Sequence, residues 1–471
     1  MENRDIVINI GEKIKLDISS YTHEGLGVGK INGLNKYGEE LINYPIFVFG
    51  MLVGETGFVE ITKVNKDYAL GKCLKTFNET KRKEHIMPIC PSYLECGGCN
   101  IMHMNYQEQL RFKEEMVKST LTKIGKLDNV NIEKIVPSKN VLYYRNKVQV
   151  PVSSFKDKTF CGFYERSSHR IVPLKSCLIQ TETSTNLTIL VKNVFNELGV
   201  KGYNENTKEG LLKHILIRKN HDESEMMVAG VVKDISFLND NFKERFKEKI
   251  LRKFPNVVSI VLSINPSDTN TILGEKSITM FGKGYITDTL CGLKFNISDK
   301  SFYQVNHDQT EVLYNTALNC ANLSEDDILI DAYCGIGTIG LIAAKKVKHI
   351  YGVEIIPEAI ANAKENAKIN GITNINFEVG KSEIVIPKWI DNGIKPTVLI
   401  VDPPRKGCDI KLLSTILESK IDKVLYISCN PATLARDISI LSSDYSVGRV
   451  IPVDMFPNTN HVETVVCLER K

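Results

Sequence analysis

After about residue 300, short apolar stretches alternate with amphipathic ones, and this alternation constrains the fold most. The apolar stretches include ILIDAYCG, HIYGVEI, INFEVG, TVLIVDPP, VLYISCNP and HVETVVCLE, and PEAIANAKENAKIN is amphipathic. Short strands separated by helices predict an α/β domain with a parallel, doubly wound sheet. Because such sheets bind ligands at the carboxyl ends of their strands, we expect the chemistry there.

The rest of the chain is organised differently. Residues 10 to about 75 contain short β segments (KIKLDISS, FVFGMLVGETGFVEIT, YALGKCLKTF) separated by turns, including the Gly-rich residues 24–40, and predict a small β-barrel. Periodic apolar positions predict one helix from Tyr106 to about Lys126. Residues 130 to about 295 mix strands with helices. We therefore expect three domains: a barrel (1–75), an α+β middle domain (76–298) and a doubly wound domain (299–471). The helix near 105–125 is expected to pack on the last of these.

Composition narrows the class of protein. A chain of 471 residues is long enough for several cores. No apolar run approaches the roughly 18 residues that cross a bilayer, and the start MENRDIVINIGEKIK lacks the apolar core of a signal peptide. We therefore expect a cytoplasmic protein with no membrane partner. Its twelve cysteines are then not a disulfide framework, because the cytosol is reducing.

Basic residues concentrate between positions 101 and 175, where fourteen Lys or Arg stand against seven Asp or Glu. This segment also contains Tyr143, Tyr144, Phe155, Phe160, Phe163 and Tyr164. Cations and rings together suit a nucleic-acid surface, since cations meet phosphates and rings stack on bases. A solvated basic face with core aromatics explains the same composition, and the sequence leaves both open.

A glycine turn follows the first strand of the doubly wound domain. It begins at Asp331 and contains Gly335, Gly337 and Gly340, and Glu354 ends the next strand. This pattern fits a dinucleotide or S-adenosylmethionine, since both carry a ribose diol that a carboxylate can bind. An acidic residue four positions before the first glycine, and Asp402 in DPPRKG, favour the positively charged S-adenosylmethionine. The alternative is a turn that only packs helix on strand.

Cys429 stands where an apolar strand ends in Ser-Cys-Asn-Pro, which places a thiol at the ligand edge of the sheet. A thiolate that adds to C6 of a uracil turns C5 into a nucleophile able to accept a methyl group. A base must then remove the C5 proton, and Glu463, at the start of the last strand, is the best candidate. The alternatives are a buried core cysteine and a solvated edge carboxylate.

Five motifs carry a family resemblance: FYQVN (302–306), DAYCGIG (331–337), DPPRKG (402–407), SCNPATLARD (428–437) and HVETV (461–465). Together they resemble the bacterial RNA uracil-5-methyltransferases, the TrmA and RlmD group, and the N-terminal segment resembles a TRAM domain, an RNA-binding barrel. The resemblance implies that Cys429 is the nucleophile and Glu463 the base. Phe302 would hold the flipped base. The implied cofactor site consists of Gln304, Asp331, Tyr333, Gly335, Gly337, Glu354 and Asp402. Lys381 departs from the family pattern, in which an acidic residue near the adenine is common.

Three cysteines, Cys90, Cys96 and Cys99, lie close together in a Gly-rich turn, a spacing that suits zinc or an iron–sulfur cluster. A fourth ligand is required. The resemblance to the iron–sulfur members of the family implies Cys177 rather than Cys161, and a [4Fe–4S] cluster rather than zinc. The TRAM segment and this cluster together imply 23S ribosomal RNA as the partner. A site built from one chain requires no second copy, so we expect a monomer.

Two other functions were weighed. A nicotinamide-dependent oxidoreductase leaves Cys429 and the barrel without a purpose. A non-catalytic iron–sulfur RNA-binding protein leaves the predicted nucleophile, base and cofactor carboxylates unexplained. An RNA methyltransferase uses every feature.

Overall fold

The computed structural model describes residues 7–34, 38–156 and 158–471, and the chain separates into two compact units. One unit holds the residues up to Leu94, with 98–116 and 456–461; the other holds 95–97, 117–455 and 462–471. Two segments discussed above lie partly outside the described ranges. They are the N-terminal stretch that we expected not to be a signal peptide, at residues 1–6, and the Gly-rich segment, at residues 35–37. Within these ranges, no helix is both long and apolar enough to cross a membrane.

A β-sheet forms the core of the first unit. Its strands are β1 (Lys13–Asp17), β2 (Ser20–Tyr21), β3 (Gly27–Leu34), β4 (Glu40–Phe49), β5 (Thr56–Val64) and β6 (Ala69–Thr76), in the order β1-β5-β6-β4-β3-β2. Alternating residues of these strands, among them Leu16, Ile46 and Val59, are buried together. The β segments expected before residue 75 are therefore present.

Two expectations for this region were wrong. The Gly-rich segment was expected to be a turn, but residues 27–34 form β3. An added Cβ at Gly29 would lie 2.4 Å from the Leu16 side chain, so this glycine allows close packing within the sheet and does not mark a turn. The stretch FVFGMLVGETGFVEIT was expected to be one strand, but it is β4 and β5 with a turn between them. Gly50 and Gly54 have positive φ there, and the buried Glu55 carboxylate accepts the Leu52 N–H at 2.8 Å.

Helix α1 (Tyr106–Lys123) follows, close to its expected bounds. Within the first unit, Lys113 Nζ donates to the Phe456 carbonyl at 3.0 Å, and Gln109 Nε2 donates to Asn458 Oδ1 at 3.2 Å. These bonds attach α1 to residues 456–461.

The second unit begins with a mixed sheet that two helices cover. In chain order, the elements of this part of the second unit are β7 (Asn131–Ile132), β8 (Lys147–Phe155), β9 (Lys158–Tyr164), β10 (Ile171–Pro173), α2 (Glu182–Glu197), β11 (Leu212–Lys219), β12 (Met226–Val232), α3 (Asp240–Leu251), β13 (Val257–Ile264) and β14 (Lys276–Gly282). Strand β7 belongs to a second sheet, described below. The sheet order is β10-β9-β8-β11-β12-β13-β14. Phe195 of α2 and Phe246 of α3 pack with ring centroids 4.7 Å apart, in a core that also contains Cys161.

A hairpin, β15 (Tyr285–Leu290) and β16 (Leu293–Ser298), leads into the domain that carries the predicted chemistry. The elements that follow are α4 (His307–Ala321), β17 (Ile328–Asp331), α5 (Thr338–Ala343), β18 (His349–Glu354), α6 (Pro357–Ile369), β19 (Ile375–Val379), α7 (Ser382–Asp391), β20 (Val398–Val401), α8 (Ile410–Ser419), β21 (Lys423–Ser428), α9 (Pro431–Leu441), β22 (Tyr445–Val453) and β23 (Glu463–Arg470), with a 3-10 turn at Ala344–Lys346.

The sheet order is β19-β18-β17-β20-β21-β23-β22-β7. The five strands β17 to β21 are parallel to one another, which confirms the doubly wound fold. The expectation of a parallel last strand was wrong, because β23 is antiparallel to β21 and to β22. In this register Ser428 pairs with Thr464. The antiparallel direction therefore brings Glu463, the first residue of β23, to the carboxyl end of β21.

Candidate active site

The segment before α4 is held from within the second unit. The Arg218 guanidinium, which is fully buried, donates to the carbonyls of Asp299, at 3.4 Å, and Ser301. Asn146 Nδ2 donates to the Gln304 carbonyl at 2.9 Å, and Asn306 Oδ1 accepts the Gln309 N–H, which caps α4. This segment contains two predicted site residues with opposite environments: Gln304 is buried, whereas Phe302 is 69% exposed.

The loop after β17 provides the next side chain. Asp331 is buried, and its Oδ2 accepts the Gly340 N–H at 3.1 Å, while Oδ1 has no hydrogen-bond partner among the described residues. Burial raises the pKa of Asp331 to about 7, and the charge of Glu354 adds to the rise. A buried acceptor without a partner is costly, so this oxygen is suited to a polar or cationic ligand.

Two glycines shape this loop. Gly335 and Gly337 have φ of +53° and +84°, a region that favours glycine. A side chain at Gly337 would meet Phe377 at 3.1 Å, whereas a side chain at Gly335 would meet no atom within 4 Å. The Gly335 N–H donates to Glu354 Oε2 at 3.3 Å. The loop therefore leaves open space beside Gly335 and Glu354, which fits a bound adenosine with a ribose diol.

Asp402 lies directly after β20 and is partly buried. Burial raises its pKa to about 7, and the charge of Asp331 contributes. The loop that follows it is fixed by Asp437 of α9, whose Oδ2 accepts the Cys408 N–H at 2.8 Å and the Tyr426 hydroxyl at 2.7 Å. Sequence reasoning included Asp437 in a motif but did not assign it this role.

Cys429 lies directly after β21 and is partly exposed. The turn is fixed by Asn430, whose side-chain oxygen accepts the Ala432 N–H at 3.0 Å and whose Nδ2 donates to the Arg405 carbonyl at 2.9 Å. The pKa of the Cys429 thiol is raised to about 11. Burial is the largest cause, the negative charges of Glu463 and Asp402 add to it, and the positive charge of Arg405 opposes the rise. A thiol and two carboxylates therefore share one edge of the sheet.

Glu463 is 2% exposed, so the solvated carboxylate considered as an alternative is not what the structure shows. Its Oε2 has no hydrogen-bond partner within the described part of the chain. Burial and then the charge of Asp402 raise its pKa to about 8, against the opposing charge of Arg405. Carboxylates with a raised pKa are typical of groups that exchange protons during catalysis.

Two residues of the site were not predicted from the sequence. Tyr314 of α4 is buried beside Thr338, with which it hydrogen-bonds, and its pKa is raised by burial and by the charges of Asp402, Glu463 and Asp331. Arg405 is exposed and acts on Cys429 and Glu463 through its charge. Arg405 is in a motif that was noticed, but a tyrosine on the buried face of a helix has no sequence signal that separates it from core residues.

The other predicted cofactor residues are placed as follows. Tyr333 is half-buried, and burial raises its pKa; its hydroxyl hydrogen-bonds with the Cys408 thiol. Lys381 is exposed and precedes α7, where the buried Ser382 hydroxyl donates to the Ala332 carbonyl. The Lys381 side chain, which departs from the family pattern, is therefore exposed to solvent. The next residue, Ser382, fixes the loop after β17 through Ala332.

The predicted metal ligands Cys90, Cys96, Cys99 and Cys177 are all partly buried. Cys96 forms an isolated β-bridge with Glu165, and the Gly97 N–H donates to the Tyr164 carbonyl at 2.9 Å. Cys161, the rejected fourth ligand, is 4% exposed in an apolar core. Cys90 and Cys99 belong to the first unit of the chain, and Cys96 and Cys177 belong to the second. The burial of Cys161 makes it unsuited to bind a metal.

Comparisons with known proteins agree with this fold. Residues 392–471 match the tRNA (uracil-5-)-methyltransferase family model, residues 323–396 match a methyltransferase domain, and residues 9–74 match the TRAM domain. An uncharacterized RNA methyltransferase of Halalkalibacterium halodurans is 42% identical over the whole of both chains. Another, from Listeria innocua, is 44% identical over 98% of each chain.

Among solved structures, the tRNA (uracil-54, C5)-methyltransferase of Pyrococcus abyssi, in complex with S-adenosyl-L-homocysteine, is similar. It is 25% identical, with a TM-score of 0.72, and the match covers 97% of this chain and 100% of that one. Fold and site thus define a Rossmann-like RNA methyltransferase with an N-terminal TRAM domain. The chain belongs to the family of S-adenosylmethionine-dependent RNA uracil-5-methyltransferases, which confirms the resemblance found in its motifs.

Proposed function

We propose that this chain methylates carbon 5 of a uridine in 23S ribosomal RNA, with Cys429 as the nucleophile and Glu463 as the base. One observation carries this proposal: a partly exposed thiol lies at the end of one strand, and a buried carboxylate lies at the adjacent end of the strand paired with it. The Oε2 atom of this carboxylate has no hydrogen-bond partner among the described residues. We further propose that one chain is sufficient, because every group that the reaction needs belongs to the same chain. We also propose that the protein acts in the cytoplasm.

In the first step, the Cys429 thiol releases its proton to solvent, and the thiolate sulfur forms a bond to C6 of the uracil. The electrons of the C5–C6 double bond then move into an enolate, so that C5 becomes nucleophilic. C5 would take the methyl group from S-adenosylmethionine, which would leave as S-adenosylhomocysteine. Glu463 removes the proton from C5, the C6–S bond breaks and the thiolate is regenerated. Phe302, which is exposed at the same domain, would stack on the flipped base.

The residues that would hold S-adenosylmethionine are Gln304, Asp331, Tyr333, Gly335, Gly337, Glu354 and Asp402. When bound, it supplies the methyl group and a positive charge. Asp402 raises the pKa of Glu463, after burial. A cation held by Asp402 compensates this negative charge, so Glu463 ionises more readily when the site is loaded.

Ribosomal RNA is supported by the combination of a TRAM domain with the four cysteines Cys90, Cys96, Cys99 and Cys177. We propose that these cysteines hold a [4Fe–4S] cluster, with zinc as the alternative. The cluster would order the middle domain around the RNA, and the mechanism requires no redox role for it. The solved tRNA enzyme matches 97% of the chain, so tRNA is the substrate class that an experiment must separate.

The test of substrate and nucleophile is methyl transfer from labelled S-adenosylmethionine to unmodified transcripts of 23S ribosomal RNA and of tRNA. Wild type is compared with Cys429→Ala, and the product is identified as 5-methyluridine. Label in ribosomal RNA that the variant does not produce supports the whole proposal. Label in tRNA alone replaces the substrate and keeps the mechanism, and label in neither rejects both.

The role of the base is tested with Glu463→Gln. This variant should transfer the methyl group but fail to remove the C5 proton, so a denaturation-resistant complex of protein and RNA should accumulate through Cys429. The double variant Cys429→Ala, Glu463→Gln is the control and should form none. Normal turnover by Glu463→Gln contradicts the proposal.

The role of the cysteines is tested with Cys96→Ser, with Cys73→Ser as the control because Cys73 is partly buried and outside the proposed set. We expect Cys96→Ser to misfold or to lose RNA affinity, whereas Cys73→Ser keeps both. Unchanged RNA affinity in a protein without a cluster would overturn this role.

A further inference from the structure

His221, His307 and Asp308 form a cluster outside the methyltransferase site. One ligand atom of each residue lies within 4.8 Å of the others. His221 is in the turn between β11 and β12, and His307 and Asp308 begin α4. All three belong to the second unit of the chain.

The orientation and tautomer of the His307 ring are set by its surroundings. Its Nε2 lies 2.7 Å from the Thr289 carbonyl oxygen, which can only accept, so Nε2 carries the proton and donates. In the neutral ring, Nδ1 then has a lone pair. His307 is 8% exposed, and its Nδ1 is buried with no hydrogen-bond partner in the described ranges. A buried acceptor left in this state is unfavourable, and a bound cation would satisfy it.

Asp308 faces both rings at a distance that suits a shared ion. Its Oδ1 lies 3.6 Å from His221 Nε2 and 3.7 Å from His307 Nδ1, too far for good hydrogen bonds. Two ligands that each lie about 2.0–2.1 Å from a tetrahedral ion are separated by a little less than this. The other oxygen, Oδ2, accepts from Asn140 Nδ2 at 2.7 Å. Such an outer bond orients a carboxylate ligand.

The two rings stack, with centroids 4.1 Å apart and planes inclined by 26°. Ligation of one ion in the plane of each ring requires one ring to turn. The side chain of His221 is 53% exposed, so it is the ring that can turn without displacing the core, while its backbone N–H donates to Asp288 Oδ1 at 2.9 Å. The buried His307 keeps its orientation through Thr289.

We propose that His221, His307 and Asp308 bind a divalent transition-metal ion of the zinc class, with solvent in the fourth position. Two imidazoles and one carboxylate are a donor set that such ions accept. The ion would connect the turn after β11 to the first turn of α4, directly after the segment that carries Gln304. It is separate from the four cysteines considered above, and it does not depend on the proposed methyl transfer.

The experiment uses Co²⁺ as the probe, because cobalt bound to thiolates has a strong near-ultraviolet charge-transfer band that cobalt bound to histidine and carboxylate lacks. The full chain as purified is dialysed against a chelator that removes loosely held divalent ions and leaves the cysteine-bound cluster in place. It is then titrated, and bound cobalt per chain is measured together with the visible spectrum. Wild type should bind one more Co²⁺ than His221→Ala or Asp308→Asn, without an added thiolate band, and Zn²⁺ should displace it. In the two variants the affinity of this site should fall by about tenfold or more.

The matched control is His169→Ala, because His169 is an exposed histidine that faces one carboxylate, Glu205, at 3.5 Å. It should bind cobalt as wild type does. His221 is also at the surface, so His221→Ala should keep the wild-type melting temperature when no cobalt is added. An unchanged melting temperature shows that the variant has lost a metal ligand and not its fold. Equal cobalt stoichiometry and affinity in wild type and His221→Ala overturn the proposal, and so does an equal loss in His169→Ala.

Discussion

Burial, and then the nearby charge of Asp402, raise the pKa of Glu463 to about 8. The two carboxylates reach the same edge of the sheet from strands of opposite direction, since Asp402 follows parallel β20 and Glu463 begins antiparallel β23. Two like charges in a poorly solvated place do not ionise together readily. One proton is therefore held close to the Cys429 thiol at neutral pH, and the site is sensitive to any charge that enters it.

The reactivity of Cys429 should increase when Glu463 loses its charge. Burial raises the pKa of the thiol to about 11, and Glu463 is the next cause. In Glu463→Gln the pKa should fall, and alkylation of Cys429 by iodoacetamide at pH 9 should be roughly threefold to tenfold faster, as expected for a shift of up to one unit. Peptide mass spectrometry measures the rate. Glu469→Gln, an exposed change on the same strand, should leave it unchanged; slower alkylation in Glu463→Gln contradicts the proposed contact.

Stability should fall as pH rises, because of Glu463. Its pKa is 4.5 in an unfolded chain and about 8 when buried, so the folded protein holds a proton that the unfolded chain releases. This contribution is fully present below pH 4.5 and is lost as pH rises through 8. Glu463→Gln has no such proton, so between pH 6 and 9 it should lose less stability than wild type, by about 1–2 kcal/mol. Melting temperatures across this range test it. Equal pH dependence in wild type and variant would count against a buried, protonated Glu463, and Glu469→Gln should behave as wild type does.

Local patterns in the sequence predicted the parallel strands and the positions of Asp331, Cys429 and Glu463 at strand ends. The reason is that apolar strands followed by polar turns are a local property of the chain. The direction of β23 was not predicted, because strand pairing depends on contacts between distant segments. The burial of Glu463 follows from that pairing, and a carboxylate at a strand end looks solvated in the sequence.

The roles of the supporting residues Tyr314 and Asp437 could not be predicted from the sequence either. Tyr314 occupies a helix position where a core residue is equally expected, and only the fold shows its closeness to three carboxylates. Asp437 accepts bonds from Cys408 and Tyr426, which come from two other elements. Such roles depend on three segments meeting, and no spacing along one segment encodes them.

The DPPRKG loop should not tolerate a side chain at Gly407. This glycine has φ of +78°, and an added Cβ would lie 2.6 Å from the Arg436 guanidinium and 2.7 Å from Asp437 Oδ2. Gly407→Ala should therefore displace the loop, lower stability by about 2 kcal/mol or more and reduce methyl transfer. Gly393→Ala is the control, because Gly393 has φ of +89° but open space around it. Melting temperature and initial rate measure both; equal behaviour of the two variants would show that the contacts with Arg436 and Asp437 do not matter.

A side chain at Gly335 should interfere with the cofactor more than with the fold. An added Cβ there would meet no protein atom within 4 Å, and the same is true at Gly371, with φ of +53° and +65° respectively. Both alanine variants should thus pay the same backbone cost of about 1 kcal/mol. Only Gly335 borders the proposed adenosine site beside Glu354, so Gly335→Ala should weaken binding of S-adenosylhomocysteine by about tenfold or more, which corresponds to about 1.4 kcal/mol. Calorimetric titration measures the affinity, and melting temperature compares the folds. If Gly335→Ala and Gly371→Ala bind S-adenosylhomocysteine equally well, the open space beside Gly335 does not hold the cofactor, and the site must be sought closer to Asp402.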